Sequence, residues 1–182
     1  YNRKAYLHKL GSDPTTDPLV FGDKRDKSDW TSLQLSDDGE HLLITEDRGW
    51  SNTDLYLHYT ATGQSRALFL DLDASLFGVE MKKGVIYSVT NYKSPRGRFV
   101  AIDPQAPAPE NWRTIIAENE WMIEGFKIVG EKVALLKLEN VSAKLRVFSL
   151  EGASLSEIVL PAAGMIFGAD GDRNLAGQPE GN

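Results

Sequence analysis

The sequence predicts an all-β fold that repeats a four-stranded unit, and two observations carry this prediction. Runs of alternating apolar and polar residues follow one another without a convincing helix, and tight turns with glycine separate them in SDDGEHLLI, MKKGVIYSV and VGEKVALL, which is the pattern of β-hairpins. The runs also fall into groups of four that start about 45 residues apart. A unit of this kind is typical of a β-propeller blade, whereas an immunoglobulin-like sandwich of about 100 residues would not repeat in this way.

The repeats predict three complete blades, at about residues 30–71, 75–117 and 121–160. In each blade, the alternation of apolar and polar residues predicts four strands. The predicted strands are Thr31–Leu35, His41–Thr45, Leu55–Tyr59 and Ala67–Leu70, then Leu76–Met81, Val85–Asn91, Arg98–Ile102 and Trp112–Ala117, then Ile123–Val129, Lys132–Leu138, Leu145–Leu150 and Leu155–Leu160.

Parts of two further blades flank these three. KAYLHKLG and PLVFGD have the pattern of the last two strands of a preceding blade, and AGMIFGAD that of the first strand of a following one. Closed propellers usually have about four to eight blades, so residues 1–182 are predicted to form an arc, a partial β-propeller. Because an open arc exposes strand edges and a blade face, we expect the segment alone to oligomerise.

Composition excludes several classes of function. The chain is 41% hydrophobic and 25% charged, as expected of a soluble globular domain, and its apolar runs are too short to cross a membrane. A net charge of −6 with dispersed basic residues argues against nucleic acid as a partner. Cysteine is absent, which excludes disulfides, thiolate catalysis and cysteine-ligated zinc.

The chain carries no convincing catalytic or metal motif of its own. No G-x-S-x-G pentapeptide occurs, and each histidine falls within a predicted strand. DGDRN begins like a calcium loop but lacks its glycine and its final glutamate, while SDDG is predicted to be a hairpin turn and NVS matches the glycosylation sequon. We therefore expect no catalytic residue, no metal and no cofactor within this segment.

The links between the second and third strands are predicted to emerge on one face of the propeller. They span Glu46–Asp54, Thr90–Gly97 and Glu139–Lys144. In the first link, DRGWSNTD, Trp50 beside Arg48 could stack on a ligand or seal an interface. In the second, TNYKSPRGRFVAID, Lys93 and Arg96 would point towards whatever covers this face, although solvated loops are the simpler interpretation. Trp112 and Trp121 lie at strand starts and are predicted to pack between blades.

Several stretches together resemble the propeller domain of the prolyl oligopeptidase family, also called prolyl endopeptidase. They are KAYLHKLGSDPTTDPLVFGD, LSDDGEHLLI, TNYKSPRGRFVAID, PAPENWRTIIAE and KLRVFSLEG, in order over nearly the whole chain. SDDG alone occurs in many propellers. The pattern T-N-x-x-S-P-x-x-R-x-x-x-I-D followed by P-E-x-x-W is much more specific.

The resemblance implies a serine peptidase that cleaves short peptides after proline. In this family a seven-bladed propeller caps a C-terminal α/β-hydrolase domain with a Ser, Asp and His triad, so the triad is expected outside this chain and the segment alone should be inactive. The propeller would enclose the active site and exclude large folded substrates. The family also places a substrate-contacting arginine in the first link; aligned through SDDG, that position is Asp47, with Arg48 next, and Trp50 is expected to line the cavity.

Two other interpretations stay open from the sequence. The chain could belong to a free-standing propeller that binds proteins without chemistry. A propeller enzyme with metal or carboxylates in its channel is disfavoured, because His and Asp do not recur at matching blade positions. The N-terminus, YNRKAYLHKLG, shows no signal peptide and no initial Met, so we expect the interior of a longer protein. A cytoplasmic location is our expectation, with the periplasm as the alternative.

Overall fold

The computed structural model describes residues 3–23, 26, 28–139 and 142–158. This part of the chain forms three four-stranded antiparallel sheets and one two-stranded sheet. Its only helices are two short 3-10 segments, Pro14–Thr16 and Pro109–Asn111. No helix among the described residues has the length and apolar character needed to cross a membrane.

Each four-stranded sheet is a simple meander in which consecutive strands pair with one another. The two-stranded sheet contains β1 (Ala5–Tyr6) and β2 (Leu19–Phe21). The first four-stranded sheet contains β3 (Trp30–Leu35), β4 (His41–Arg48), β5 (Asn52–Tyr59) and β6 (Gln64–Asp73). The second contains β7 (Leu76–Lys82), β8 (Val85–Thr90), β9 (Arg98–Ile102) and β10 (Arg113–Ile116), and the third contains β11 (Met122–Val129), β12 (Lys132–Glu139), β13 (Ser142–Ser149) and β14 (Ser154–Ile158).

The sheets stack face to face as successive blades. The first strands of the three large sheets lie next to one another, since β7 contacts both β3 and β11. One apolar layer joins the first and second sheets, another joins the second and third, and a smaller one joins β1 and β2 to the first sheet. Burial of these layers is the main force that holds the sheets together. The predicted all-β, partial β-propeller fold is therefore confirmed.

Two tryptophans fill the layers between blades, as predicted. Trp112 is buried in the layer between the first and second sheets, and its indole N–H donates to the carbonyl of Pro107 at 2.8 Å. Trp121 is buried in the next layer. Each residue thus contributes a large apolar surface to its layer, and the indole N–H of Trp112 is satisfied by a hydrogen bond.

The predicted link Glu46–Asp54 is wrong in its bounds. Strand β4 continues to Arg48 and β5 begins at Asn52, so the turn contains only residues 49–51. The ends of both strands are polar, and hydrogen bonds between side chains replace the apolar alternation that the sequence prediction relied on: Thr53 Oγ1 donates to Asp47 at 2.7 Å.

Some sequence predictions fall outside the described residues. The strand expected in AGMIFGAD and the DGDRN stretch both lie there, and of NVS only Ser142 is described. The last predicted strand, Leu155–Leu160, corresponds to β14 over its described part.

Candidate functional site

Four connections meet at one edge of the stacked sheets, which we call the loop face. It consists of the β4–β5 turn (49–51), the β6–β7 connection (74–75), the β8–β9 loop (91–97) and the β10–β11 connection (117–121). The backbone N–H of Ser75 donates to Asn91 Oδ1 at 2.7 Å, and that of Ile123 donates to the carbonyl of Arg96 at 2.9 Å. The first bond joins the β6–β7 connection to the β8–β9 loop, and the second joins that loop to the start of β11, so the loop face is a continuous surface.

Trp50 stands at the tip of the β4–β5 turn with its side chain fully exposed. Gly49 before it has φ +64°, a left-handed conformation that glycine adopts at little cost. The hydroxyl of Ser75 donates to the carbonyl of Trp50 at 3.4 Å, a long contact that ties the turn to the neighbouring connection. The indole is therefore presented on a defined turn.

Arg48 is held on the side of the strand opposite to Asp47. Its Nη2 lies 2.6 Å from Asp54 Oδ1 and 2.6 Å from Asp71 Oδ1. Asp54 Oδ1 also accepts the backbone N–H of Asp71 at 2.7 Å. The guanidinium of Arg48 thus braces the ends of β4, β5 and β6, and two carboxylates already occupy it.

A cleft of about 480 Å³ opens at the loop face between the first and second sheets, and we call it the Asp47 cleft. Three exposed aromatic side chains, Trp30, Trp50 and Phe77, line it together with Asp47. The other lining residues are Ser28, Gly49, Ser51, Asn52, Thr53, Ser75 and Leu76. A concave site with aromatic walls and one charged group has the composition of a ligand pocket.

Asp47 reaches this cleft through strand pairing. It lies opposite Trp30 on β3 and opposite Thr53 on β5, so the three side chains share one side of the sheet. Burial raises the pKa of the Asp47 carboxyl, and the hydrogen bond from Thr53 only partly offsets this effect. The sequence placed Asp47 in a loop and gave no role to Trp30 or Phe77, because cross-strand partners cannot be read before the register is known.

A second cleft of about 360 Å³ lies along the first strands of the three sheets. Asp47 and Leu76 line both clefts, so the two adjoin each other. The second cleft contains Glu80 and Lys127, whose charged atoms are 3.5 Å apart. This pair links the second and third sheets and neutralises its own charges.

Lys93 and Arg96 lie on the β8–β9 loop in different environments. Lys93 is exposed, and its ammonium lies 5.1 Å from the centre of the Tyr92 ring. The Arg96 guanidinium donates to the carbonyl of Asn119 at 3.3 Å, and its backbone N–H donates to Glu118 Oε1 at 2.6 Å. Lys93 therefore points outward from the loop face, whereas Arg96 is tied to the adjacent connection.

Asp38, Glu40 and His41 bring possible ligand atoms within 4.8 Å of one another at the β3–β4 turn. The Asp38 carboxylate accepts the Ser36 hydroxyl at 2.5 Å and the backbone N–H of Glu40 at 2.9 Å, and these bonds lower its pKa. They close the hairpin that the SDDG motif predicts. The Asp38 carboxylate therefore has a structural role in this turn.

Stacked four-stranded sheets with connections gathered at one face define a segment of a β-propeller. A family model described as the prolyl oligopeptidase N-terminal beta-propeller domain matches residues 1–176. The chain belongs to this family.

The comparisons also find individual proteins that the chain is similar to. A prolyl endopeptidase of Elizabethkingia meningoseptica is 21% identical over 93% of this chain and 24% of its own length. A prolyl oligopeptidase of Omphalotus olearius is 27% identical over 82% of this chain and 21% of its own length. A solved prolyl endopeptidase structure, from work on inter-domain dynamics in catalysis and specificity, superposes with a TM-score of 0.80 at 29% identity, over 87% of this chain and 24% of that one. The chain thus spans about a quarter of the length of these relatives.

Proposed function

We propose that this chain is part of the propeller of a prolyl oligopeptidase, a serine peptidase that cleaves short peptides after proline. The family match over residues 1–176 carries the proposal. In this proposal, the catalytic Ser, Asp and His belong to an α/β-hydrolase domain elsewhere in the full-length protein. The propeller supplies no reacting group; it controls which peptides reach the active site.

The loop face is the surface that we propose to meet the hydrolase domain. A fully exposed indole and an open aromatic cleft at one surface are typical of a binding or interface site. Lys93 is also available there, since it is exposed and no carboxylate among the described residues lies within ion-pair distance of it. Arg96 is engaged within the propeller and would support the loop rather than bridge the two domains.

A propeller that covers the active site in this way would act in two ways. Stacked rigid blades restrict access to the space between the domains, so a short peptide can enter while a large folded protein cannot. Closure over a bound peptide also keeps bulk water from the acyl-transfer chemistry. Both effects require the loop face to be present but require no catalytic residue in it.

Peptide hydrolysis by the full-length protein tests the proposal directly. Short chromogenic peptides with proline before the scissile bond should be hydrolysed, and matched peptides with alanine at that position should be hydrolysed far more slowly. The same proline sequence placed within a folded protein should resist cleavage. A full-length protein that hydrolyses none of the peptides, or cleaves the folded protein equally well, would contradict the proposed function.

The role of the turn tip is tested by Trp50→Ala in the full-length protein. If the indole contacts the peptide, KM should rise or the preference among peptides should change. Leu10→Ala is a suitable control, because it removes another strongly exposed apolar side chain that lies outside the loop face. Unchanged kinetics on several peptides would show that Trp50 does not contact the peptide.

A further inference from the structure

We propose that the Asp47 cleft binds a positively charged group of a peptide, and that it makes the protein favour basic peptides. The group would be a lysine or arginine side chain or an N-terminal ammonium, since these share one charge and similar hydrogen-bond donors. This inference rests on the proposed peptidase function and adds a specificity to it.

The charge of the cleft favours a cation. Asp47 is the one charged residue among the described residues that line it. Arg48 follows directly in the chain but is turned to the opposite side, where Asp54 and Asp71 bind it. The adjoining cleft adds little net charge, because Glu80 and Lys127 pair with each other. Among the residues that line the cleft, an approaching ammonium therefore meets one carboxylate and no cation; Arg3 lies next to the cleft, on the ring of Trp30.

The walls of the cleft suit the same ligand. Aromatic faces attract cations through the negative potential above the ring, and tryptophan does so most strongly. Trp30 already shows this behaviour, since the Arg3 guanidinium lies 3.3 Å from the centre of its ring. Trp50 is fully exposed and Phe77 is partly exposed in the same cleft. Because Arg3 already covers Trp30, the alkyl part of a lysine would pack on Trp50 and Phe77 while its ammonium approaches Asp47.

The Asp47 carboxylate can accept further hydrogen bonds from such a cation. A carboxylate can accept about four hydrogen bonds, and within the described part of the chain Asp47 accepts one, from the Thr53 hydroxyl at 2.7 Å. Burial disfavours its charged form, as its raised pKa indicates. A bound cation would replace the hydration that the carboxylate has lost. The cleft volume of about 480 Å³ is sufficient for one long side chain.

The test compares paired proline peptides on the full-length protein. The first pair is N-acetylated and carries either lysine or the neutral norleucine at each position upstream of proline in turn. The second pair carries a free or an acetylated N-terminus, which separates the two sources of the cation. At one position the charged member should have a kcat/KM about fivefold higher, the scale of a partly exposed ion pair.

Asp47→Asn should abolish this preference, lowering kcat/KM for the lysine peptide more than kcat/KM for the norleucine peptide. Glu110→Gln is the matched control: it also removes one negative charge, but it lies in the 3-10 helix between β9 and β10, away from the loop face. It should keep the preference. In the unmodified protein, raising the salt concentration should reduce the preference, since screening weakens exposed charge pairs.

Measurements of peptide binding distinguish a failure of this inference from a failure of the proposed peptidase function. Fluorescently labelled peptides that end in proline offer no bond after it to cleave, and their affinity can be measured by anisotropy. If no peptide is hydrolysed, the peptidase function fails, while tighter binding of the lysine peptide that Asp47→Asn removes would still support the cleft. Equal binding and equal kcat/KM of charged and neutral peptides, or a preference that survives in Asp47→Asn, would overturn the inference.

Discussion

Replacing Asp54 by alanine should strongly destabilise the first four-stranded sheet, because one buried carboxylate holds three donors there. The Asp54 side chain is only 4% exposed. Its Oδ1 accepts Arg48 Nη2 at 2.6 Å and the backbone N–H of Asp71 at 2.7 Å, and its Oδ2 accepts the Tyr56 hydroxyl at 3.2 Å. Asp71 has φ +54°, a conformation that residues other than glycine adopt rarely, and the bond to its N–H helps to fix it.

The expected loss follows from the groups that the substitution leaves behind. Breaking a buried ion pair from one side costs about 3–5 kcal/mol, because the remaining charge stays buried. Here the remaining charge, Arg48, is 36% exposed and keeps the exposed carboxylate of Asp71 at 2.6 Å, which places the loss at the lower end. We expect a loss of about 3 kcal/mol in the free energy of unfolding for Asp54→Ala, roughly a hundredfold change in the equilibrium constant. Asp54→Asn keeps an acceptor but removes the charge, so it should cost about half as much.

Urea unfolding of the full-length variants, followed through the propeller transition, measures this loss. Asp73→Ala is the control, because Asp73 is an exposed carboxylate near Asp71 on β6. It should change the free energy of unfolding by no more than about 0.5 kcal/mol, as surface substitutions usually do. If Asp54→Ala were no more destabilising than Asp73→Ala, the bracing role of this network would be refuted.

Four further outcomes are expected. Gly97→Ala should lower the melting temperature more than Gly39→Ala, since both glycines have positive φ but an added Cβ at Gly97 would lie 3.1 Å from the carbonyl oxygen of Ile123, whereas Gly39 has open space; equal shifts would contradict the contact. Burial lowers the pKa of His58 from its ordinary 6.5, so the neutral form is favoured on folding and stability should be lost as the pH falls from 6.5 through the lowered value; His58→Gln should flatten that part of the stability profile. Lys93→Glu should slow turnover without changing the unfolding midpoint, and equal turnover would count against a contact between domains. Residues 1–182 expressed alone should self-associate in sedimentation experiments, since apolar side chains remain exposed on the third sheet, and a sharp monomer boundary at high concentration would exclude this.

The repeat made most of the fold predictable. Apolar alternation and glycine turns locate the strands of the three large sheets, because each hairpin is a local structure whose signal lies within a few residues. The prediction failed at the polar end of β4, where Asp47 and Arg48 continue the strand. Alternation of apolar residues cannot reveal strand ends that side-chain hydrogen bonds stabilise.

The candidate site was less predictable, because it depends on contacts between distant residues. Trp50 was recognisable as an unusual aromatic residue in a polar turn. By contrast, the presence of Asp47 in one cleft with Trp30 and Phe77 requires the pairing of β3 with β4 and the packing of the second sheet against the first. The engagement of Arg48 likewise depends on Asp71, which lies on a different strand.

Strand periodicity explains why neighbouring residues with opposite charges have different roles at this site. Asp47 and Arg48 are consecutive on β4, so their side chains point to opposite sides of the sheet. Asp47 faces the cleft, and Arg48 faces Asp54. If the register of β4 shifted by one residue, arginine would enter the cleft and the carboxylate would leave it. The β3–β4 turn opposes such a shift through two short bonds, from the Ser36 backbone N–H to the His41 carbonyl at 2.8 Å and from the Ser36 hydroxyl to Asp38 at 2.5 Å. The sign of the charge in the cleft is therefore set by a hairpin turn at the opposite end of the same strand pair.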